Sequence, residues 1–359
     1  MKPRLLALLT DGFAGHGGIA RYNRDLLTAL AARWDVHVLT RYDSMPEDLP
    51  TNVTQYPSCR GRLAYAATAL RLARQLRPLV VFAGHVQFAG LARWASTINA
   101  SRRVIQTHGI DVWSSPRAWD RTAVELADLV LAVSRDTRRR VLSWAEIPPD
   151  RIRVLSNTVR PMFTPGCRES ARQRFAPGGE RLIVTVGRLS PDERYKGHDR
   201  VIASLPALRQ RWPNLRYLIA GRGADRARLQ SLAEGLGVMT LVQFLDLPDD
   251  ADLVELYRAA DVMALPSTGE GFGIAFVEAL RCGTPVTGLA VAGATDPLTL
   301  FPDGAATVAT LTDVLSRLLS VPMRVDVDVL DRLETCFGRE TFAASALALF
   351  ENLISGELR

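Results

Sequence analysis

Two glutamates stand eight positions apart in a segment that is otherwise almost entirely apolar, EGFGIAFVEAL at 270–280. The surrounding pattern predicts a strand, then a loop that contains Glu270, then a helix that contains Glu278. At about 100° per residue the two carboxylates do not form one helix stripe. We therefore expect Glu270 to reach over the strand ends and Glu278 to point up from the first helical turns. A carboxylate accepts two hydrogen bonds and suits vicinal hydroxyls, such as those of a ribose or a hexose.

The backbone between these acids is glycine-rich, with Gly271, Phe272 and Gly273 at the predicted start of the helix. Free N–H groups near Phe272 and Gly273 would face an anion. Hydroxyls at both ends with a phosphate between them describe a nucleotide sugar. The alternatives need no ligand: Glu270 as a helix N-terminal acid stabilised by the dipole, and Glu278 on a solvated helix face.

Two cations follow a second predicted strand, LIVTVG at 182–187. Arg188 leaves the strand end directly, and Lys196 follows eight residues later, before a helix that opens at Gly197. The chain has 44 basic residues, of which only Lys2 and Lys196 are lysines. Arginine as a bidentate fork and lysine as a point charge could clamp a diphosphate. Because acids surround both cations, a solvated loop is the alternative.

Two further glycine-rich turns lie between a predicted strand and a predicted helix. Gly17 and Gly18 precede a helix beginning near residue 19, where bare N–H groups and the helix dipole would attract an anion. The same stretch satisfies the loose dinucleotide fingerprint G-x-G-x-x-G/A, although its loop is longer than the usual tight turn. Gly221 and Gly223 form the second turn and could approach a nucleotide. In both places the glycines could instead serve only the turn.

The elements that must position these residues are short apolar strands alternating with amphipathic helices, a pattern typical of parallel sheets covered on both faces. Two prolines and a glycine near 161–166 predict a boundary. We expect two doubly wound α/β domains, 1–163 and 164–337, with a C-terminal helix (about 338–359) that packs back on the first. Ligands bind outside the carboxyl ends of such strands, so the expected site is the cleft between the domains. The predicted strands are 5–10, 36–40, 79–84, 103–108, 129–134, 152–157, 182–187, 215–221, 241–245, 262–267 and 285–290.

Charge is unevenly distributed along the chain. Residues 1–163 carry 23 basic and 13 acidic side chains, whereas residues 164–359 carry 21 and 25. No acid occurs between Asp48 and Asp111, so the first half should attract an anionic partner. The four cysteines form no metal or redox motif, and together with the lack of a long apolar run they indicate a cytoplasmic protein.

Taken together, these motifs resemble those of the retaining GT-B glycosyltransferases of family 4, which carry a Glu-x7-Glu motif, and in particular bacterial GDP-mannose-dependent mannosyltransferases of polysaccharide synthesis. The resemblance covers nearly the whole chain. The chain departs from the family pattern at Asn157-Thr158, where the family often has Asn-Gly, and at residues 292–298. The motifs that carry it are HGGIARY (16–22), THGID (107–111), VGRLSPDERYKG (186–197), LYRAADVMALPS (256–267) and EGFGIAFVEALRCGTPV (270–286).

The resemblance implies a role for each matching residue. Arg188 and Lys196 would hold the donor diphosphate and stabilise the leaving group. Glu270 would bind hydroxyls of the transferred sugar, and Glu278 the ribose. The backbone of Gly271, Phe272 and Gly273 would lie near sugar and phosphate, and Gly17 and Gly18 would meet the diphosphate or acceptor. His108, at a strand end in THGID, would face the donor sugar.

The resemblance also implies retention of anomeric configuration and no bound metal, because cations replace a metal clamp. The sequence ERYKGHD (193–199) favours GDP-mannose as the donor, with a UDP-hexose as the alternative. The acceptor would be a glycan, a polyprenyl-diphosphate-linked sugar or a small molecule. The acid-free stretch 60–78 predicts a helix whose arginines could lie on an anionic membrane, or an ordinary surface helix.

Three other functions remain open from the sequence. A non-catalytic nucleotide-sugar binder would keep the cations but lose the acids or His108. A nicotinamide-dependent oxidoreductase would use the Gly15–Ala20 turn. Nucleic-acid binding has only the net charge of +6 in its favour, without interleaved aromatic and basic residues, and we expect no nucleic-acid partner.

Overall fold

The computed structural model describes residues 2–15, 17–42, 45–46, 48–246, 249–321 and 324–356. The chain divides into two compact units, Met1–Thr158 with Glu340–Arg359, and Val159–Arg339. We call these the amino-terminal and carboxy-terminal domains. The divisions fall close to the predicted boundaries at 163 and 337, and the last helix belongs to the amino-terminal domain, as the sequence predicts.

The amino-terminal domain contains a parallel sheet in the order β3-β2-β1-β4-β5-β6-β7 within the described residues. Its strands are β1 (Arg4–Leu9), β2 (Asp35–Thr40), β3 (Val53–Tyr56), β4 (Val80–Ala83), β5 (Arg102–Thr107), β6 (Leu129–Ala132) and β7 (Ile152–Val154). Its helices are α1 (Gly18–Ala31), α2 (Arg62–Leu76), α3 (Ala89–Thr97), α4 (Ala118–Glu125) and α5 (Arg135–Trp144), together with α14 (Arg339–Ser355).

The sheet is buried on both faces, which explains why its strands are continuously apolar. In β1 the residues Leu5 to Leu9 have no exposed surface, so the opening LLALL is the centre of a core. From α14, Phe342 packs edge-on against Tyr22, with ring centroids 5.8 Å apart. Phe350 packs in the same way against Trp34 at 5.9 Å. The last helix is therefore part of the amino-terminal core.

The carboxy-terminal domain repeats this design with a parallel sheet in the order β10-β9-β8-β11-β12-β13, again within the described residues. Its strands are β8 (Leu182–Val186), β9 (Arg216–Ala220), β10 (Val242–Leu245), β11 (Val262–Ala264), β12 (Val286–Leu289) and β13 (Ala305–Ala306). Its helices are α6 (Arg168–Phe175), α7 (His198–Arg211), α8 (Arg226–Gly235), α9 (Asp250–Ala259), α10 (Ile274–Arg281), α11 (Thr295–Leu298), α12 (Leu311–Ser320) and α13 (Val327–Phe337).

Both sheets have the strand order of a doubly wound α/β domain, in which the chain reverses direction beside the first strand. Each of the eleven predicted strands is present, and the predicted fold class is confirmed. The structure adds two edge strands that the sequence did not predict, β3 and β13. In the described part of the chain, no helix has both the length and the apolarity to cross a bilayer.

Candidate functional site

The carboxyl ends of β8 and β11 are neighbours in the second sheet, and the loops that follow them bring a cation and an acid into contact. The amine of Lys196 donates a hydrogen bond to Oε1 of Glu270, with 3.2 Å between the two atoms. Both side chains are largely buried, with 15% of the lysine and 13% of the glutamate exposed. The structure therefore joins, at the expected sheet edge, two residues that lie 74 positions apart.

The loop that carries Lys196 is held by its backbone against the loop that carries Glu270. The N–H of Thr268 donates to the carbonyl of Tyr195 at 2.8 Å. Gly197, which ends the loop, has a φ of +78°, and a Cβ there would lie 2.3 Å from the carbonyl oxygen of Pro266. Because only glycine tolerates both the left-handed backbone and this close approach, the position of Lys196 depends on the residue after it.

Arg188, the second predicted cation, is oriented by a glutamate from the same loop. Its guanidinium forms an ion pair with Glu193, whose side chain is 10% exposed, while that of Arg188 is 74% exposed. Burial raises the pKa of the Tyr195 hydroxyl, and the charges of Glu193 and Glu270 raise it further. The charge of Arg188 acts on the same hydroxyl in the opposite sense, so both predicted cations lie in one neighbourhood around Tyr195.

The environment of Glu278 excludes the solvated helix face that the sequence left as the alternative to ribose binding. The residue is 4% exposed. The hydroxyl of Tyr257 donates to its Oε2 at 3.3 Å, and a guanidinium nitrogen of Arg160 lies 3.9 Å from its Oε1. The reason is non-local: Tyr257 comes from α9 and Arg160 from the segment before α6, neither of which the local pattern identifies. Its ribose-binding role stays a prediction.

The glycine-rich turn before α10 is largely buried: Gly271 is half-buried, and Phe272 and Gly273 are buried. Phe272 is 4% exposed and packs edge-on against Phe337 with ring centroids 5.1 Å apart. Gly273 is the N-cap, and the helix begins at Ile274. The helix therefore starts just after the predicted Gly271–Gly273 turn.

Sequence reasoning missed the contribution of Gly293, which braces the Glu270 loop. Its N–H donates to the carbonyl of Glu270 at 3.0 Å, and a Cβ there would lie 2.1 Å from the carbonyl oxygen of Gly271. The segment 292–298, which departs from the family pattern, thus packs against the backbone at Glu270 and at the residue that follows it. A lone glycine after a predicted strand was the only signal for it.

Gly221 and Gly223 have a packing role that explains their identity. A Cβ at residue 221 would lie 1.8 Å from the carbonyl oxygen of Gly187, and one at residue 223 would lie 1.9 Å from that of Leu189. The loop after β9 thus packs directly on the loop after β8. The contact of Gly221 and Gly223 with a donor nucleotide stays a prediction.

In the amino-terminal domain, the predicted glycine turn is open to solvent. Gly17 and Gly18 begin α1, and a Cβ on either would have no neighbour within 4 Å. The guanidinium of Arg24 donates to the carbonyls of Phe13 (3.0 Å) and Gly15 (2.8 Å) and so holds the loop before the helix. Residue 16 lies outside the described residues. The N–H groups at this helix start have space for an anion.

His108 follows β5 and is held on three sides. Its backbone N–H donates to Oδ1 of Asp111 at 2.8 Å, and its ring packs edge-on against Tyr22 with centroids 5.4 Å apart. Its Nε2 lies 2.9 Å from the carbonyl oxygen of Gly84; since a carbonyl only accepts, Nε2 carries the proton. Burial lowers the pKa of His108 from its usual value, and the nearby His85 lowers it further. The ring is therefore neutral at pH 7, with its lone pair on Nδ1.

Two family models match the chain. Residues 16–163 match glycosyltransferase family 4, and residues 168–317 match the glycosyl transferases group 1. The D-inositol 3-phosphate glycosyltransferase of Mycobacterium bovis (strain BCG / Pasteur 1173P2) is 37% identical over 182 residues, which cover 48% of this chain and 36% of the relative. The protein of that name from Mycobacterium tuberculosis H37Rv matches equally. The matched stretch thus spans little more than a third of these curated relatives.

Solved structures share the fold over the whole chain. Anabaena HepE in complex with UDP and glucose has a TM-score of 0.77 at 20% identity, over 98% of this chain and 100% of that one. The sucrose-phosphate synthase of Thermosynechococcus elongatus has a TM-score of 0.76 at 22% identity, with coverages of 98% and 100%. At these identities the likeness establishes the common architecture of two Rossmann-like domains.

Proposed function

The chain is a GT-B glycosyltransferase, a family 4 domain followed by a group 1 domain, and we propose that it transfers a hexose from a nucleotide-diphosphate sugar to an acceptor hydroxyl. The contact between Lys196 and Glu270 carries the proposal. An ammonium and a carboxylate at one sheet edge offer the two kinds of recognition that a nucleotide sugar needs. The ammonium takes the diphosphate, and the carboxylate accepts hydrogen bonds from the sugar hydroxyls.

We propose that the transfer retains anomeric configuration. The bond between the anomeric carbon and the phosphate oxygen breaks, the acceptor oxygen bonds to the same face of that carbon, and the acceptor proton passes to the departing phosphate. No protein nucleophile is required. Lys196 and Arg188 would stabilise the negative charge that develops on the leaving diphosphate, and a contact of this kind typically contributes about 10²–10³ in rate.

His108 would supply a hydrogen-bond acceptor to a sugar hydroxyl. Because the ring is neutral and its Nε2–H is directed to Gly84, the lone pair of Nδ1 remains for a ligand. Protonation would convert that acceptor into a donor. A neutral histidine is therefore suited to bind the hexose rather than to serve as an acid.

GDP-mannose is the donor that we propose, on the similarity of residues 193–199 to mannosyltransferases, and UDP-glucose is the alternative. A thermal-shift screen of GDP, UDP, ADP and their hexose conjugates distinguishes them. We expect one nucleotide to raise the melting temperature and its sugar conjugate to raise it further. A protein that responds to none of them would contradict the transferase assignment. A protein that binds a conjugate but neither hydrolyses nor transfers it would be a non-catalytic binder.

We propose that the reaction needs no metal, because Lys196 and Arg188 supply positive charge where a metal clamp would otherwise do so. Turnover should therefore be unchanged by a strong chelator. A loss of turnover that Mg²⁺ or Mn²⁺ restores would contradict this proposal.

The membrane association expected from residues 60–78 needs a different physical basis. In α2 the apolar face is already in the core, with Tyr65, Ala69, Leu72 and Ala73 buried. Insertion of that face into lipid is therefore not available. The outer face still presents Arg71 and Arg74, so we propose a purely electrostatic attachment to anionic lipid, sensitive to salt.

A further inference from the structure

A cavity of about 640 Å³ lies in the amino-terminal domain, beside the carboxyl edge of its sheet. Arg41 comes from the loop after β2, Gln87 and Phe88 from the loop after β4, and Arg117 and Asp120 from the segment after β5. Three strand-end segments thus converge on one space. In open α/β sheets this edge is where ligands bind. No local pattern in the sequence predicts this cavity.

Two tryptophans give the cavity an exposed aromatic wall. Trp94 is 54% exposed and Trp119 is 48% exposed, and they meet edge-on with ring centroids 5.2 Å apart. An indole left open in a concave surface has an apolar face and one polar N–H to offer a ligand. The C–H face of a sugar or cyclitol ring packs on such a face, while the hydroxyls at its edge remain available for hydrogen bonds.

The polar lining is mainly cationic. Arg41, Arg62 and Arg117 line the cavity, and within the described part of the chain none of them has an ion pair. Among the described residues, Asp120 is the only acid in the lining. Burial raises the pKa of its carboxyl group, while a hydrogen bond from the Gly90 backbone and the charge of Arg117 act in the opposite sense. Guanidinium groups without carboxylate partners recognise phosphate in a bidentate manner.

The cavity adjoins the loop that holds His108. His85 stacks on His108 with ring centroids 6.3 Å apart. Its Nδ1 accepts a hydrogen bond from the N–H of Gln87 at 3.2 Å, and Gln87 lines the cavity. A molecule that contacts Gln87 in the cavity would therefore be separated from His108, the histidine that we assign to the hexose, only by Gln87 and His85.

We propose that this cavity binds the acceptor, and that the acceptor is a phosphorylated sugar or cyclitol ring, with the ring on Trp94 and Trp119 and the phosphate on the arginines. This rests on the proposed function, because it names the substrate that receives the hexose. The phosphorylated ring could be a free metabolite or the headgroup of a lipid. The chemistry recognised is the same in both.

The test is isothermal titration of the full chain with mannose 6-phosphate, mannose and inorganic phosphate. We expect saturable binding of mannose 6-phosphate, with mannose and phosphate each at least about tenfold weaker, since each retains only one of the two contacts. Arg117→Ala and Trp119→Ala should each raise the Kd about tenfold or more. Arg153→Ala, an exposed arginine of β7 outside the cavity, is the matched control and should leave the Kd unchanged.

Arg117→Ala removes an exposed side chain, so it keeps the test valid if Trp119→Ala does not fold. Absence of binding to the wild-type chain would overturn the proposal, as would equal binding by wild type and Arg117→Ala. Repeating the titration with a long-chain alkyl mannosyl phosphate in vesicles shows whether the phosphorylated ring is a free metabolite or the headgroup of a lipid. Tighter binding of the alkyl form indicates a lipid headgroup, and equal binding indicates a free metabolite.

Thermal shift with GDP and UDP separates this proposal from the proposed function. The cavity variants should keep the wild-type nucleotide shift, whereas Lys196→Ala should lose it and still bind mannose 6-phosphate. A wild-type chain that binds mannose 6-phosphate but no nucleotide would support the cavity while contradicting the transferase assignment.

Discussion

The two domains share a fold but use arginine in opposite ways. In the carboxy-terminal domain, Arg168, Arg172 and Arg181 all contact Asp261, a carboxylate that is 6% exposed. In the amino-terminal domain, a group of arginines has no ion pair within the described residues. These are Arg60, Arg62, Arg71, Arg74, Arg77, Arg93 and Arg117.

This difference separates structural charge from charge kept for a ligand. A carboxylate buried among arginines fixes the positions of the chain segments that carry them and offsets part of their charge. Arginines without a carboxylate partner produce a positive electrostatic potential that attracts anions. The site pairs Lys196–Glu270 and Arg188–Glu193 lie between these extremes, because a diphosphate must compete with a glutamate for each cation.

The largest effect should come from breaking the Lys196–Glu270 pair. Lys196→Ala and Glu270→Gln should each lower turnover about 10²–10³-fold, because each removes a contact to the donor at the reacting centre. Steady-state kinetics measures this, with melting temperature as the check on folding. Arg211→Ala, an exposed arginine of α7, is the control. Near-normal turnover in both variants would remove their assigned roles.

The second effect concerns His198, which lies beside the paired cations. Burial and then the charge of Lys196 lower its pKa to about 4. The His198 imidazole binds a proton more tightly in the unfolded chain than in the folded chain. The free energy of unfolding is therefore unaffected by this group above about pH 6.5 and falls as the pH decreases toward 4. Between pH 7 and pH 5 the loss should be about 2 kcal/mol from this group.

Urea denaturation of the wild type and of His198→Phe at both pH values measures that loss. The variant cannot take up the proton, so its free energy of unfolding should fall about 2 kcal/mol less. Parallel pH profiles for the two proteins would contradict the assignment.

The third effect concerns the unpaired arginines of α2. Removing two cations in Arg71→Ala/Arg74→Ala should weaken binding to phosphatidylserine vesicles about tenfold or more at low salt, at roughly 1 kcal/mol per residue. Vesicle sedimentation measures this. Arg209→Ala, in the other domain, should have no effect. If the wild type does not bind these vesicles, or if its binding does not change with salt concentration, the proposed electrostatic attachment is wrong.

The smallest effect should come from removing a competing acid. In Glu193→Gln, Arg188 loses its carboxylate partner and is free for the diphosphate. Since an ion pair whose arginine is largely open to water contributes up to about 1 kcal/mol, nucleotide affinity should rise about threefold to fivefold. Calorimetric titration of GDP or UDP measures the change. A fall in affinity would show instead that Glu193 orients Arg188 for binding.

The sequence predicted the sheets from local patterns, and the rule on parallel strands predicted that Lys196 and Glu270 both lie near strand ends. Their direct contact was found only in the structure. The edge strands β3 and β13 were missed because neither has the continuous run of large apolar residues by which the other strands were predicted: β3 reads VTQY and β13 consists of two alanines. They are strands because β2 and β12 pair with them.

The remaining features depend on packing between distant residues. The burial of Glu278 comes from Tyr257 and Arg160, and the brace at Gly293 is a contact between loops. Trp94 and Trp119 lie far apart in sequence and meet only because α3 and α4 pack together. Such contacts have no local sequence pattern.

The most direct test of the central claim is calorimetric titration of the nucleoside diphosphate and of its hexose conjugate into wild type, Lys196→Ala and Glu270→Gln. If the amine holds the diphosphate and the carboxylate holds the hexose, Lys196→Ala should bind both ligands about tenfold or more weakly. Glu270→Gln should bind the diphosphate at least as tightly as wild type and lose the extra affinity of the conjugate. Equal binding of both ligands by all three proteins would contradict the claim.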